Sequence, residues 1–384
     1  MIHFKIYNSQ NDLPDSWQAL TTHDLFLQKP YLTAIENASP DNISWYYVGV
    51  FNAENLVGIA IIQRVQLYVE DIFRNHKDSC FQERVKHYVS KVLKGNVLVV
   101  GNLMHTGQHG FYFNYEAISE RDFLSCIFDA VYQLKKDIKS SKGKTIRTLI
   151  FKDYFEDDSI HSYSELFKTN TFRKVSVQPN MIMPTHKNWN TFNDYQTSLN
   201  KKYRRRLKTA RKKAGAIQKK ELDLDAIEAH SELLFRLYKN VSDNARINTF
   251  ILPKNHFYTL KKELKDQFKV FAYYLDGTIV GFYTLILNDK VLETYFLGYD
   301  SAHQYNHQLY LNMLYDMAEF AINNKFEHTV YARTAMEIKS SVGAKPKNMF
   351  IYLRHTNVLL NTALNLIFSL MNPTRDWEER HPFN

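Results

Sequence analysis

A turn followed by Leu/Ile-Val-Gly occurs twice in this sequence, at residues 56–58 and 279–281, and both copies occupy the same place in a longer pattern. In the second half, residues 270–281 read as a strand, a turn at Asp276-Gly277 and a returning strand. Asp-Gly between apolar runs is the strongest short-range hairpin signal, because a type I′ turn needs positive φ at both central residues. Residues 291–298 predict a third strand. Leu309, Leu311, Met313, Leu314, Met317, Ala318 and Ala321 recur at helical spacing, and residues 328–332 predict a last strand. The first half repeats the order: strand 47–51, a turn at 52–55, strand 56–62, strand 97–101, a helix from 120 to 139 and a strand at 147–151. Two copies of one ββ-β-α-β unit restrict the chain to an α/β (mixed α+β) fold in two domains. The competing reading is two unrelated α/β domains that share common hairpins. Only the first copy carries an inserted basic and aromatic stretch, residues 66–94.

Size agrees with two domains, since 384 residues exceed what one hydrophobic core usually serves. Pro179 and Pro184, then a capping-box pattern from Thr191 to Asp194, place the boundary near 180 and give domains 1–180 and 181–384. Glycine is scarce, with 12 residues, and neither dinucleotide nor P-loop glycine patterns occur. The two cysteines, Cys80 and Cys126, have no metal-site or nucleophile context, and the first residues lack a signal-peptide apolar core, so a reducing cytoplasm is expected. The pairs His105/His109 and His303/His307 share i, i+4 spacing but lack a third ligand, and no metal is expected. Residues 358–371 are nearly all apolar yet too few to cross a bilayer. They predict either a buried terminal helix or one that lies on a lipid surface.

The charge is concentrated in one place. Of 49 basic residues, nine fall within 201–213, which leaves 40 basic against 40 acidic residues elsewhere and a net charge of +9. On a helix, Tyr203, Leu207, Ala210 and Ala214 form a narrow apolar stripe, Lys201, Arg205, Lys208 and Lys212 form a cationic one, and Gly215 is a natural stop. Cations at a helix N-terminus each cost on the order of 0.3–1 kcal/mol, so the segment asks for an anion. That anion is a cofactor phosphate, an acidic carrier protein, a lipid surface or a nucleic acid; the alternative is a solvated helix that serves solubility alone. Tyr203 is the only aromatic residue among the cations, which argues against specific DNA binding.

Two motifs carry a family resemblance. Residues 202–215 are similar to the basic helix of tandem-domain members of the GNAT (acyl-CoA N-acyltransferase) superfamily. Residues 297–300, followed by a helix, by Arg333–Lys339 and by Gly343, are similar to the strand, helix and closing loop of the same proteins. The chain therefore resembles the branch containing the Fem-type peptidoglycan aminoacyltransferases and the BioF2-like acyltransferase domain, best over residues 190–345. The resemblance implies two tandem GNAT-like domains, each a mostly antiparallel twisted sheet flanked by helices, the second opened by the basic helix and closed by the apolar terminal one. It implies an N-acyltransferase moving an acyl group from acyl-CoA or acyl carrier protein, used as a donor substrate with no permanently bound cofactor, to an amine of a lipid or cell-envelope precursor. It also leaves open an aminoacyl-tRNA donor, or a non-catalytic GNAT-fold binding protein. The implied location is cytoplasmic, with contact at the inner face of the membrane. One departure stands out: residues 303–308, His-Gln-Tyr-Asn-His-Gln, hold no glycine where acetyl-CoA enzymes of the superfamily have a glycine-bearing pyrophosphate loop.

Acyl transfer to an amine requires a base, a polarised carbonyl and a protonated leaving group. Period-two alternation along the third strand puts Glu293, Tyr295 and Tyr299 on one face, as a base and two hydroxyl donors or as a solvent-facing residue with two packing tyrosines. His307 is the expected proton carrier. Lys202, Arg205 and Arg206 are expected to meet the anionic donor. Arg333, Glu337 and Lys339 cluster beyond the last strand, with Arg333 and Lys339 as substrate or phosphate contacts unless this is an ordinary surface loop.

Overall fold

The computed structural model describes residues 1–67, 95–244, 248–362, 364 and 377–383. The chain opens with β1 (Ile2–Tyr7), and helices α1 (Asp15–Leu20) and α2 (Lys29–Asn37) lead to the hairpin of β2 (Ile43–Asn52) and β3 (Asn55–Leu67). β4 (Gly95–Val100) and the short β5 (Phe111–Phe113) both pair antiparallel with β3. The crossover helix α3 (Glu120–Lys142) then brings β6 (Ile146–Phe155) parallel to β4. Ser119 caps α3 by accepting from the Asp122 N–H, and Gly143 ends it at φ 62°, where a side chain would be strained. Its apolar face, including Phe123, Leu124, Ile127, Phe128 and Val131, covers Val48, Val50, Ala60, Ile62, Leu98 and Val100 of the sheet.

After α4 (Ser164–Thr169), β7 (Arg173–Pro184) leads into the second unit. There α5 (Phe192–Ser198) starts with the Thr191/Asp194 capping box, and the basic segment forms α6 (Lys201–Ala214) between an Asn200 cap and Gly215. The edge strand β8 (Gln218–Glu221) is followed by α7 (Leu224–Ala229), α8 (Ser231–Asp243) and α9 (His256–Leu264). β9 (Phe268–Leu275), β10 (Thr278–Asn288) and β11 (Val291–Tyr299) form an antiparallel meander; its first turn holds Asp276 and Gly277 at φ 49° and 77°. α10 (Ser301–His307) and α11 (Leu309–Asn323) cross to β12 (His328–Val330), parallel to β11 and antiparallel to β7. The order in this unit is β7-β12-β11-β10-β9-β8. α12 (Met336–Ser340) follows, and β13 (Lys345–His355) pairs with β6.

Meander, crossover helix and parallel strand thus occur in both units, in the order the sequence repeats. Two compact units are present, but they interleave. The described residues of Met1–Gln178, Arg246–Leu252 and Asn348–Thr374 pack as one, and those of Pro179–Ala245, Pro253–Lys347 and Arg375–Asn384 as the other. A single cut at 180 does not follow this division over 348–374, where the pairing of β13 with β6 returns the chain to the first unit. The basic and aromatic stretch at 66–94 lies outside the described residues from 68 onward. Of the apolar segment 358–371, residues 358–362 and 364 are helical and the rest lies outside them.

α6 buries Tyr203, Leu207 and Ala210 in the second core, as its apolar stripe requires. Two of its nine cations also turn inward. Arg204 donates to the carbonyls of Gln196, Thr197 and Leu199 and so closes the C-terminal end of α5. Arg211 meets Asp316 of α11 at 2.7 Å and Glu319 at 3.3 Å, while the Tyr273 hydroxyl donates to the other Asp316 oxygen. Burial opposes the charge on Arg211, yet the Asp316 carboxylate outweighs it and holds the guanidinium above its ordinary pKa. Burial and the same carboxylate push the Tyr273 phenol well up. Removing one partner of a buried pair costs about 3–5 kcal/mol, because the other charge is stranded. Asp316→Ala is therefore expected to destabilise the protein by about that amount in urea unfolding, and the double change Arg211→Met with Asp316→Leu to recover most of it.

Candidate active site

β11 and β12 run side by side only from Val291↔His328 to Glu293↔Val330. The Thr294 hydroxyl donates to the Val330 carbonyl at 2.9 Å as the last tie. Beyond it the chain after β12 turns towards β7: the Tyr331 N–H donates to Met181 O and the Met181 N–H to Ala332 O. β11 instead continues to Tyr299, so a wedge opens between two parallel strands.

On its opposite edge β11 carries a bulge. Its register with β10 moves from Tyr283↔Leu297 to Leu285↔Thr294, three steps on β11 against two on β10. A bulge resets which face each later residue takes. Glu293 and Tyr295 lie on the side covered by α8 and α9, and a Cβ on Gly298 would meet the backbone of Leu237 and Tyr238 at 2.4 Å. Tyr299 faces the other way, into the core built on α11, with its ring 6.4 Å from Tyr310. The expected single face of Glu293, Tyr295 and Tyr299 is thus corrected at Tyr299, because simple alternation does not survive the bulge.

The two residues that remain together gain a third. Glu293 is 5 % exposed, and His256, fully buried at the start of α9, places Nε2 3.1 Å from the Tyr295 hydroxyl with the two rings stacked. His256 is absent from the sequence expectations. Its one signal is its position in the inward stripe His256, Leu260, Leu264, which reads equally as core.

The other lip of the wedge is the loop after β12. Ala332, Thr334 and Ala335 all have left-handed φ, at 59°, 66° and 46°, a dense run of non-glycine strain. Lys339 holds it: its Nζ donates to the carbonyls of Ala332 at 3.1 Å and Arg333 at 2.6 Å, and the residue is 5 % exposed. Burial lowers the Lys339 amine to about 7 and the Arg333 guanidinium to about 10. Lys339 was expected to reach substrate or phosphate; its ammonium is placed on main-chain oxygens instead. Glu337 pairs with Arg380, whose N–H also donates to the Ser340 hydroxyl, so this carboxylate anchors the tail 377–383.

His307 takes a different place from the one expected. Its Nδ1 lies 3.1 Å from the Lys213 carbonyl, because α10 docks on the C-terminal end of α6 and not on the Glu293 face. Asn312 locks the same junction by donating to Ala210 O and His307 O. Gln308 separates α10 from α11 and adopts φ 47° itself, the conformation that a glycine loop would otherwise provide. The Tyr310 N–H in the first turn of α11 donates to Gln304 Oε1 at 3.0 Å, so α10 closes part of this helix start. Of the expected donor contacts, Arg205 is exposed, Lys202 stacks over the Tyr203 ring, and Arg206 lies near Tyr315. Among the described residues none of Lys201, Lys202, Arg205, Arg206, Lys208, Lys212 and Lys213 forms an ion pair.

The corresponding place in the first unit is filled. After Val100 and Phe151 the loop 101–110 folds back, with Gly110 O accepting from Ile61 N–H and Lys152 Nζ donating to His105 O at 3.0 Å while pairing with Asp153 at 2.6 Å. A Cβ on Gly101 would lie 2.6 Å from the Lys152 side chain. Among the described residues no group of His, Cys, Asp and Glu is arranged to hold a metal ion.

Residues 201–340 match the family model of the acetyltransferase (GNAT) domain. Among solved structures, the fold is similar to that of FemX, at 11 % identity over 94 % of this chain and all of that one, with a TM-score of 0.55. It is also similar to a tandem GNAT protein from the clavulanic acid biosynthesis pathway, at 8 % identity over 93 % of this chain and 99 % of that one, with a TM-score of 0.53. No curated protein matches the sequence. The second unit thus carries a GNAT acyltransferase domain within a tandem, Fem-like fold.

The buried amine gives a test of the loop. Between about pH 7 and 10.5 the unfolded chain binds the Lys339 proton that the folded chain has released, so this group's contribution to stability grows with pH across that window and is lost as pH falls through 7. Urea midpoints at pH 7 and 9 should rise more steeply with pH in the wild type than in Lys339→Met. Equal slopes would mean that the amine titrates normally.

Proposed function

We propose that this GNAT acyltransferase acts at the wedge of its second unit, moving an acyl group from a thioester, acyl-CoA or acyl carrier protein, to an amine of a lipid or cell-envelope precursor. The observation that carries the reading is the parting of β11 from β12 beside a buried carboxylate and a bulge. The ladder between β11 and β12 ends at Glu293 and Val330, and the space between the parted strands is the proposed seat of the acyl carbonyl. The amine nitrogen attacks the carbonyl carbon and its proton passes to Glu293. The C–S bond then breaks and the thiolate takes up a proton. The Tyr295 hydroxyl and His256 form a hydrogen-bonded pair on the same face, suited to hold or return that proton. Glu293, Tyr295 and His256 are the proposed catalytic groups, and Lys339 the positioning residue for the opposite lip.

The exposed cations of α6 fit the donor's phosphates or an acidic carrier. The same features fit a second reading, an aminoacyl-tRNA donor whose ester C–O bond breaks in place of C–S, which the Fem-like fold favours. Both readings place the protein on the cytoplasmic side, at the inner face of the membrane.

Purified protein is expected to acylate an amine from one of these donors. Glu293→Gln should lower kcat by about 10²- to 10⁴-fold with little change in donor KM. Charge reversal at Arg205 and Lys208 should raise donor KM and leave kcat in place; a strong salt dependence of that KM selects tRNA over CoA. Full turnover by Glu293→Gln would remove the base assignment, and failure of every donor would remove the enzymatic reading.

A further inference from the structure

The second unit holds a cleft that acyl transfer at the wedge does not use. It has a volume of about 300 Å³ and lies between α8, the turn that joins β9 to β10 and the start of α10. Glu293 sits near the start of β11, whereas the cleft borders Asp300, just past the end of that strand. Its walls are fixed in three places. A Cβ on Gly298 would meet the Leu237 and Tyr238 backbone at 2.4 Å, Asn240 Nδ2 donates to Tyr299 O at 3.4 Å, and the Asp300 N–H donates to Val280 O at 2.9 Å. Buried Leu237 and Ile279, with Leu233, supply an apolar lining. Charges of both signs complete it. Arg236 contributes a guanidinium from α8, Asp276 a carboxylate from the turn, and Asp300 another, whose Oδ1 accepts from the Ala302 N–H at 2.9 Å. Among the described residues the side chains of Arg236 and Asp276 form no hydrogen bond and no ion pair, with each other or with any other group. Opposite charges therefore line one cleft without meeting. A lone anion in it gains Arg236 and is opposed by two acids, and a lone cation meets the converse.

From the unmet opposite charges around one apolar lining we infer that this cleft binds a small zwitterion of the α-amino acid class. Its carboxylate lies on Arg236, whose planar fork of donors matches a carboxylate. Its ammonium lies on Asp276 and Asp300, and an aliphatic side chain covers Leu233, Leu237 and Ile279. A ligand that lacks either charge leaves one wall unanswered and keeps the repulsion from the other. The volume suits a ligand of this size.

The test is titration calorimetry on the full chain with L-leucine and two analogues that each lack one charge, 4-methylpentanoate and 3-methylbutylammonium. L-Leucine should saturate, with both analogues at least tenfold weaker. Arg236→Gln and Asp276→Asn should each weaken L-leucine about tenfold. Both changes are at exposed residues, and asparagine tolerates the left-handed φ of 49° at position 276, so neither threatens the fold. Absence of saturation by L-leucine, equal binding of either analogue, or unchanged affinity in either variant would overturn the inference.

Discussion

The wedge exists because two parallel strands stop sharing hydrogen bonds after Glu293 and Val330. Everything proposed for the second unit follows from where each strand goes next. β12 gives its following residues to Met181 on β7, while β11 continues along β10 with a bulge that shifts their register by one residue. The space between the parted strands is where the acyl carbonyl is proposed to bind. The bulge also decides which side chains reach that space, since it leaves Glu293 and Tyr295 on one face and sends Tyr299 to the other.

The supports around the wedge are polar and internally satisfied. Lys339 donates to main-chain carbonyls and holds a loop whose backbone is strained at three positions. Arg211 fixes α6 to α11 through Asp316, and Arg204 closes α5. The nine cations of the basic segment therefore divide. Two belong to the scaffold, and the outward stripe is the proposed contact for an external anion. In the first unit, Lys152 and the loop 101–110 fill the corresponding place, so the two units share the fold and differ at this place.

Much of this was legible in the sequence. The Asp276-Gly277 turn, the two meanders, the cap at Thr191 and the apolar stripe of α6 are local patterns, and local periodicity reports them faithfully. The departures depend on tertiary partners. No spacing shows that Arg211 will find Asp316 a hundred residues later, that a bulge will turn Tyr299 away, or that Gln308 will adopt a glycine conformation. His256 was hidden because a histidine in an apolar stripe reads as core until Tyr295 is placed beside it. The return of β13 to the first unit is equally a matter of long-range pairing.

Backbone amide hydrogen exchange, with and without a non-hydrolysable thioether analogue of an acyl-CoA, tests the central claim most directly. The account predicts slowed exchange in residues 294–299 and 331–335, the two lips of the wedge, with no change in 101–110 of the first unit. Protection confined to 101–110, or analogue binding that leaves both lips unprotected, would contradict it.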